Sequence, residues 1–199
     1  MNKAVLLLLS ITLLGLQSCK EKNKENPTIT TPTKEKEINC DTYNKEKEVL
    51  DDAVYSFEKD ASKFLKYTKE RSNSFFLRFL HRYSNGNYDF SEMVTENSIN
   101  SYKKIKNIES LYYTENGKLL FNFNSEYYTC MYSNFSPEIK TVFDQLEESG
   151  YLNTDFTAKS LNSQDQSVVD NEYIKSFIVM AIYYPTIVNN SVKVPVNLN

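Results

Sequence analysis

Apolar residues between positions 41 and 70 recur at three- and four-residue spacings: Leu50, Val54, Phe57, Ala61, Phe64 and Leu65. Asp51, Asp52, Glu58, Lys59, Asp60 and Lys63 fill positions between them. That period predicts an amphipathic helix over 41–70, with one buried stripe and its charges in solvent. Ser72-Asn73-Ser74 interrupts the pattern, and Phe75 to Tyr83 begins a second helical run before the Asn85-Gly86-Asn87 turn. Asp89, with Glu92 three residues on, has the form of a capping box ahead of Met93 and Val94. A short helix is expected there, then another through Tyr102 and Ile105.

The period changes at Leu111. Asn116-Gly117 stands between Leu111-Tyr112-Tyr113 and Leu119-Leu120-Phe121, the strongest short-range signal for a hairpin. A two-residue turn pairs Tyr112 with Phe121 and Tyr113 with Leu120. Glu126 to Tyr132 reads as a third strand. Ser136-Pro137-Glu138 opens a helix with a capping serine, a first-turn proline and an acid at the positive end. Ile139, Val142, Phe143 and Leu146 form its apolar face, and Gly150 ends it. Residues 151–165 hold a short helical turn. Val168 to Tyr184 is apolar on most faces and predicts a buried helix stopped by Pro185, with a buried strand as the alternative. Val192, Val194 and Val196 alternate around Pro195, as in an edge strand.

The sum is an α+β domain over residues 38–199, with several helices packed on a small antiparallel sheet made of the hairpin plus one or two strands. The order helix, helix, hairpin also resembles cystatin-like and NTF2-like folds, which would imply further strands after the hairpin.

The N-terminus belongs to a different class of sequence. Lys3 precedes an apolar run from Ala4 to Leu14, broken only by Ser10 and Thr12. It falls short of the roughly 20 residues that a membrane-spanning helix needs. Leu16-Gln17-Ser18-Cys19 follows, and it resembles the lipobox of bacterial lipoproteins, with Gln17 the less usual occupant. The resemblance implies that residues 1–18 are a signal peptide and that Cys19 becomes the first residue. Its thiol would take a diacylglycerol and its amine an acyl chain such as palmitate. One chain holds a protein only marginally, at about 0.8 kcal/mol per buried CH₂, whereas several anchor it stably. Lys20-Glu21 is similar to the export tag of surface lipoproteins in Bacteroidota, although Lys22 interrupts the usual acidic pair. The implied location is the cell envelope, on the outer membrane, at its periplasmic face or at the cell surface.

Residues 20–37 carry nine charges and two prolines, with Ile29 as the only aliphatic. Such a segment buries too little apolar surface to offset its ordering entropy. With Cys19 it reads as an acylated, disordered stalk, reaching at most about 60 Å when extended. Its five lysines outnumber its four glutamates, so residues 38–199 are more acidic than the chain's net charge of -3.

Setting Cys19 aside leaves Cys40 and Cys130, an even pair that an exported protein can join in one disulfide. The single histidine excludes any site needing two, and with it the zinc proteases. The acidic balance argues against a nucleic-acid partner bound through its phosphates. No Gly-rich phosphate loop, nucleophile elbow or calcium loop occurs. His81 lies between Arg78 and Arg82 with no acid named beside it, and the adjacent pairs Asp51-Asp52 and Glu147-Glu148 point about 100° apart on their helices. The sequence therefore names no catalytic residue, no metal ligand and no cofactor.

Tyrosine is the remaining feature, with 15 in the chain. Tyr112, Tyr113, Tyr127, Tyr128 and Tyr132 all fall on the proposed sheet, so one sheet face packs on helices and the other is a candidate interaction surface. The reading is a non-enzymatic, lipid-anchored envelope protein that touches the membrane through its anchor and binds a protein partner, an immunity protein or inhibitor being one version. Alternatives are a small-ligand carrier with an apolar pocket and an enzyme of unrecognised type.

Overall fold

Helix α1 covers Asp41–Phe64 in the computed structural model, which describes residues 40–65, 75–86 and 89–190. The expected stripe is its buried face: Leu50, Phe57, Ala61 and the capping Leu65 are shielded, and Val54 and Phe64 are half-buried. The end of the predicted helix, the stalk and the Val192–Val196 strand lie outside the described residues. Helix α2, Phe75–Asn85, buries Phe76, Phe79 and Leu80.

The capping box forms one step later than expected. Asp89 accepts from the Ser91 amide at 2.9 Å and starts a single 3-10 turn, Phe90–Met93, whose two apolar ends are buried. The reciprocal pair is Thr95 and Ser98: the Ser98 amide donates to Thr95 Oγ1 at 3.1 Å, and the Thr95 amide donates to Ser98 Oγ at 2.8 Å. Helix α3, Glu96–Ile105, starts there and packs along α1.

Strands β1 (Tyr112–Glu115) and β2 (Lys118–Phe121) pair in the predicted register, Tyr112 opposite Phe121 and Tyr113 opposite Leu120. Asn116 and Gly117 both take positive φ, 52° and 75°, as a two-residue hairpin turn requires.

The expected third strand is a helix. Helix α4 runs Glu126–Ser133 because Ser125 Oγ accepts from the Tyr128 amide at 3.1 Å and Glu126 sits in the first turn. Burying Tyr127, Tyr128, Cys130 and Met131 outweighs the strand preference of tyrosine. The described residues thus hold an α+β fold with one two-stranded antiparallel sheet, without the later strands of a cystatin-like or NTF2-like domain.

Helix α5, Pro137–Glu148, ends as its sequence demands: Gly150 has φ 74° and the Tyr151 amide donates to Leu146 O at 2.7 Å. Helix α6, Thr154–Asn162, is longer than the turn expected, because the Asn153 side chain caps the amides of Asp155 and Phe156. Helices α7 (Gln166–Val169) and α8 (Glu172–Phe177) follow.

Pro185 does not stop the last helix. Helix α8 passes into a π-helical segment, Ile178–Tyr183, and on into α9, Tyr184–Asn190. In the π segment the Tyr184 amide reaches Val179 O, five residues back. Pro185 has no amide to offer, which frees carbonyls one turn earlier. Tyr112 Oη donates to Met180 O at 3.1 Å and Thr154 Oγ1 to Ala181 O at 3.3 Å. Two side chains from other elements thus take over for the missing backbone donor. The segment from Phe177 to Tyr184 is fully buried, as its composition predicts.

Cys40 and Cys130 form a disulfide with Cα atoms 5.3 Å apart. It ties the start of α1 to α4.

Candidate binding groove

The five tyrosines of the expected interaction surface separate. Tyr127 and Tyr128 are buried on α4. Tyr132 is half-buried there and donates a short hydrogen bond to Asp144 Oδ1; burial, then that acid, push its phenol up to about 12. They leave the surface because residues 126–132 are helical rather than extended. Tyr112 packs on the core face of the hairpin through its bond to Met180 O. Tyr113 alone faces outward, 48% exposed, opposite the half-buried Leu120. Cys19 lies outside the described residues.

Tyr113 and Leu120 border a half-open groove of about 430 Å³. Its other walls are Leu152 and Asn153 before α6, Thr154 and Asp155 at the start of α6, and Pro185, Thr186 and Asn189 on α9. Tyr83, from the last turn of α2, also lines it and donates to Asp155 Oδ1 at 2.5 Å. Burial, reinforced by that carboxylate, raises the Tyr83 phenol, so it stays protonated and acts as a donor at neutral pH. Among the described residues Lys118 and Asp155 bring one charge of each sign, and the remaining lining is aromatic, aliphatic, hydroxyl or amide. Tyr151 and Phe156, 52% and 40% exposed, flank the α6 wall in sequence, with ring centroids 4.7 Å apart. The groove thus sets the exposed ring of Tyr113 beside a few fixed polar groups.

The wall residues are locked from behind. Asn189 Oδ1 accepts from the Leu119 amide at 2.8 Å, and its Nδ2 donates to Leu119 O at 2.9 Å, so a side-chain amide closes the free edge of β2. None of these partners is close in sequence: Tyr83 and Asp155 are 72 residues apart, Leu119 and Asn189 70. Local patterning therefore could not assemble the groove; only Tyr113 carried a signal, as an alternate-facing hairpin aromatic.

A second cleft, about 590 Å³, is lined by Glu46, Glu109 and Glu126 with Lys45 and Tyr127. It is polar, and the Thr42 hydroxyl donates to Glu126 Oε2 at 2.6 Å beside it. Among the described residues no group of three or more His, Cys, Asp or Glu side chains is placed to hold a metal ion.

Asp60 breaks the sequence rule that put it in solvent. It is 4% exposed, accepts from Thr95 Oγ1 at 2.9 Å on both oxygens and from Tyr183 Oη at 3.4 Å. Desolvation raises its pKa above the usual carboxylate value, against the lowering pull of these hydrogen bonds and of Lys59 and Lys63. The native state therefore binds this proton more tightly than the unfolded chain. The favourable contribution is complete below the unfolded value near pH 4 and is lost as pH rises through the folded one. Replacing Asp60 by Asn removes the ionisation and keeps an acceptor for Thr95. The stability of Asp60→Asn relative to wild type is expected to increase from pH 4 to pH 7, read by urea unfolding at each pH. A relative stability that falls over that range would contradict this account of the site.

The adjacent acids are solvated: Asp51 pairs with Lys47 at 3.3 Å and Asp52 with Lys104 at 3.1 Å, while Glu147 and Glu148 are exposed. His81 is exposed, and its Nε2 meets the Asn85 amide at 3.1 Å rather than a carboxylate. No helix among the described residues is long and apolar enough to cross a membrane. Comparison with protein-family models, curated proteins and solved structures finds no match to this chain.

Proposed function

We propose that this chain is a non-enzymatic, lipid-anchored envelope protein whose domain binds another polypeptide through the groove beside Tyr113. The observation that carries the reading is the outward pair Tyr113 and Leu120 on a hairpin whose other face and β2 edge are fixed, opening onto a cavity of about 430 Å³. A rigid aromatic wall pays little conformational entropy on binding. The groove is open along one side, which suits a segment of a second chain better than an enclosed apolar ligand. The lipobox-like Leu16-Gln17-Ser18-Cys19 and the charged residues 20–37 support a domain tethered at a membrane surface. An immunity or inhibitor role against an exported protein is the concrete version.

The test is a cross-linking pull-down of the tagged full chain from its own envelope, beside a Cys19→Ser control and a Tyr113→Lys, Leu120→Lys groove variant. Wild type is expected to bring down one stoichiometric polypeptide that the groove variant loses. Cys19→Ser is expected to lose palmitate labelling. Capture no greater than from the groove variant would overturn the reading.

A further inference from the structure

The two edges of the hairpin are treated differently. A two-residue turn makes Glu115–Lys118 and Tyr113–Leu120 the hydrogen-bonded pairs, so the backbone groups of Tyr112, Thr114 and Leu119 point away from the ladder. On β2 the outward amide and carbonyl of Leu119 are both taken by Asn189. On β1 the outward groups of Tyr112 and Thr114 have no backbone partner among the described residues. Natural proteins cover or charge such an edge unless it is used.

A groove of about 290 Å³ runs beside this edge, between β1 and the end of α3. One charged group in its lining has no counter-ion among the described residues. Tyr102, 8% exposed, forms part of the wall, its phenol oxygen closed to solvent and without a hydrogen-bond partner among the described residues. Lys106 is half-buried and has no ion pair among the described residues. Among the described residues it is the only ionised side chain in the lining, so the groove is locally positive on a mildly acidic protein.

We propose that the outer edge of β1 accepts an extended segment of a partner polypeptide as a third strand, with an acidic side chain of that segment paired with Lys106. Backbone hydrogen bonds to Tyr112 and Thr114 supply register, and the carboxylate supplies selectivity. This inference rests on the protein-binding reading for the kind of partner, but on a different surface from the groove beside Tyr113.

The test uses the full chain and a capped seven-residue peptide of alternating threonine and valine with a central glutamate, beside the same peptide carrying glutamine. Binding is followed by anisotropy, and amide exchange by nuclear magnetic resonance. The glutamate peptide is expected to bind, to slow exchange at Tyr112 and Thr114, and to bind at least threefold tighter than the glutamine peptide. Thr114→Pro removes an outward amide while leaving the hairpin ladder intact, and is expected to weaken binding at least tenfold. Lys106→Glu leaves the backbone untouched and is expected to abolish the preference for glutamate. No binding, unchanged binding by Thr114→Pro, or protection elsewhere overturns the edge proposal. An envelope partner captured equally by wild type and Thr114→Pro overturns it while leaving the protein-binding reading intact. Peptide binding with no envelope partner does the reverse.

Discussion

Opening the Cys40–Cys130 bond is expected to lower the melting temperature by about 10 to 15 °C. The bond spans 90 residues and holds the start of α1 against α4. Closing a loop of that length in the unfolded chain is worth about 4 to 5 kcal/mol on the chain-entropy account. At this domain size one kcal/mol moves the melting point by about 2 to 4 °C. Cys130 is 1% exposed, so alanine is the better replacement, because serine would bury a hydroxyl. The check is calorimetry of wild type with and without reductant and of Cys40→Ala with Cys130→Ala. A shift of under about 2 °C in both would show that the bond adds nothing to the fold.

The second large effect is expected at Phe177. Its ring sits among those of Phe121, Phe123, Tyr128, Phe135 and Phe143, with centroids 5.2 to 6.2 Å away. Those partners come from β2, α4, α5 and the segments between them, so one side chain joins the hairpin to the helical layer. It is fully buried. Phe177→Ala is expected to cost about 3 to 5 kcal/mol, the lost transfer energy plus the cavity left behind. Tyr55→Ala, at a side chain 68% exposed, is expected to stay within about 0.5 kcal/mol. Urea titrations with equal slopes measure both. Similar costs for the two would mean that Phe177 is not the centre of the core.

Elements with strong local chemistry were legible. Asn116-Gly117 has the backbone freedom that one turn type needs, so the register of β1 and β2 followed from it. Ser136-Pro137-Glu138 and Gly150 marked both ends of α5, although the Ser136 hydroxyl makes no capping bond there. The failures share a physical cause, since each depends on a partner far along the chain. Residues 126–132 carry strand-forming tyrosines, yet a serine cap and burial against α8 and α1 make them helical. Pro185 breaks a helix that stands alone, but Tyr112 and Thr154 satisfy the carbonyls it frees. Asp60 looks solvated in the helical pattern of α1, and Thr95 and Tyr183 make its burial tolerable. The groove is the extreme case. Of its lining, only Tyr113 stands among the candidate surface tyrosines that the sequence points to, and its walls meet because α2, α6 and α9 converge on the hairpin.

The most direct test of a polypeptide-binding groove places a photo-reactive phenylalanine analogue at position 113 of the full chain in living cells, with position 55 as the control. Both side chains are exposed aromatics, but only Tyr113 lines the groove. The account predicts one discrete cross-linked polypeptide from position 113 after illumination and none from position 55. No adduct at position 113, or the same adducts from both positions, would contradict it.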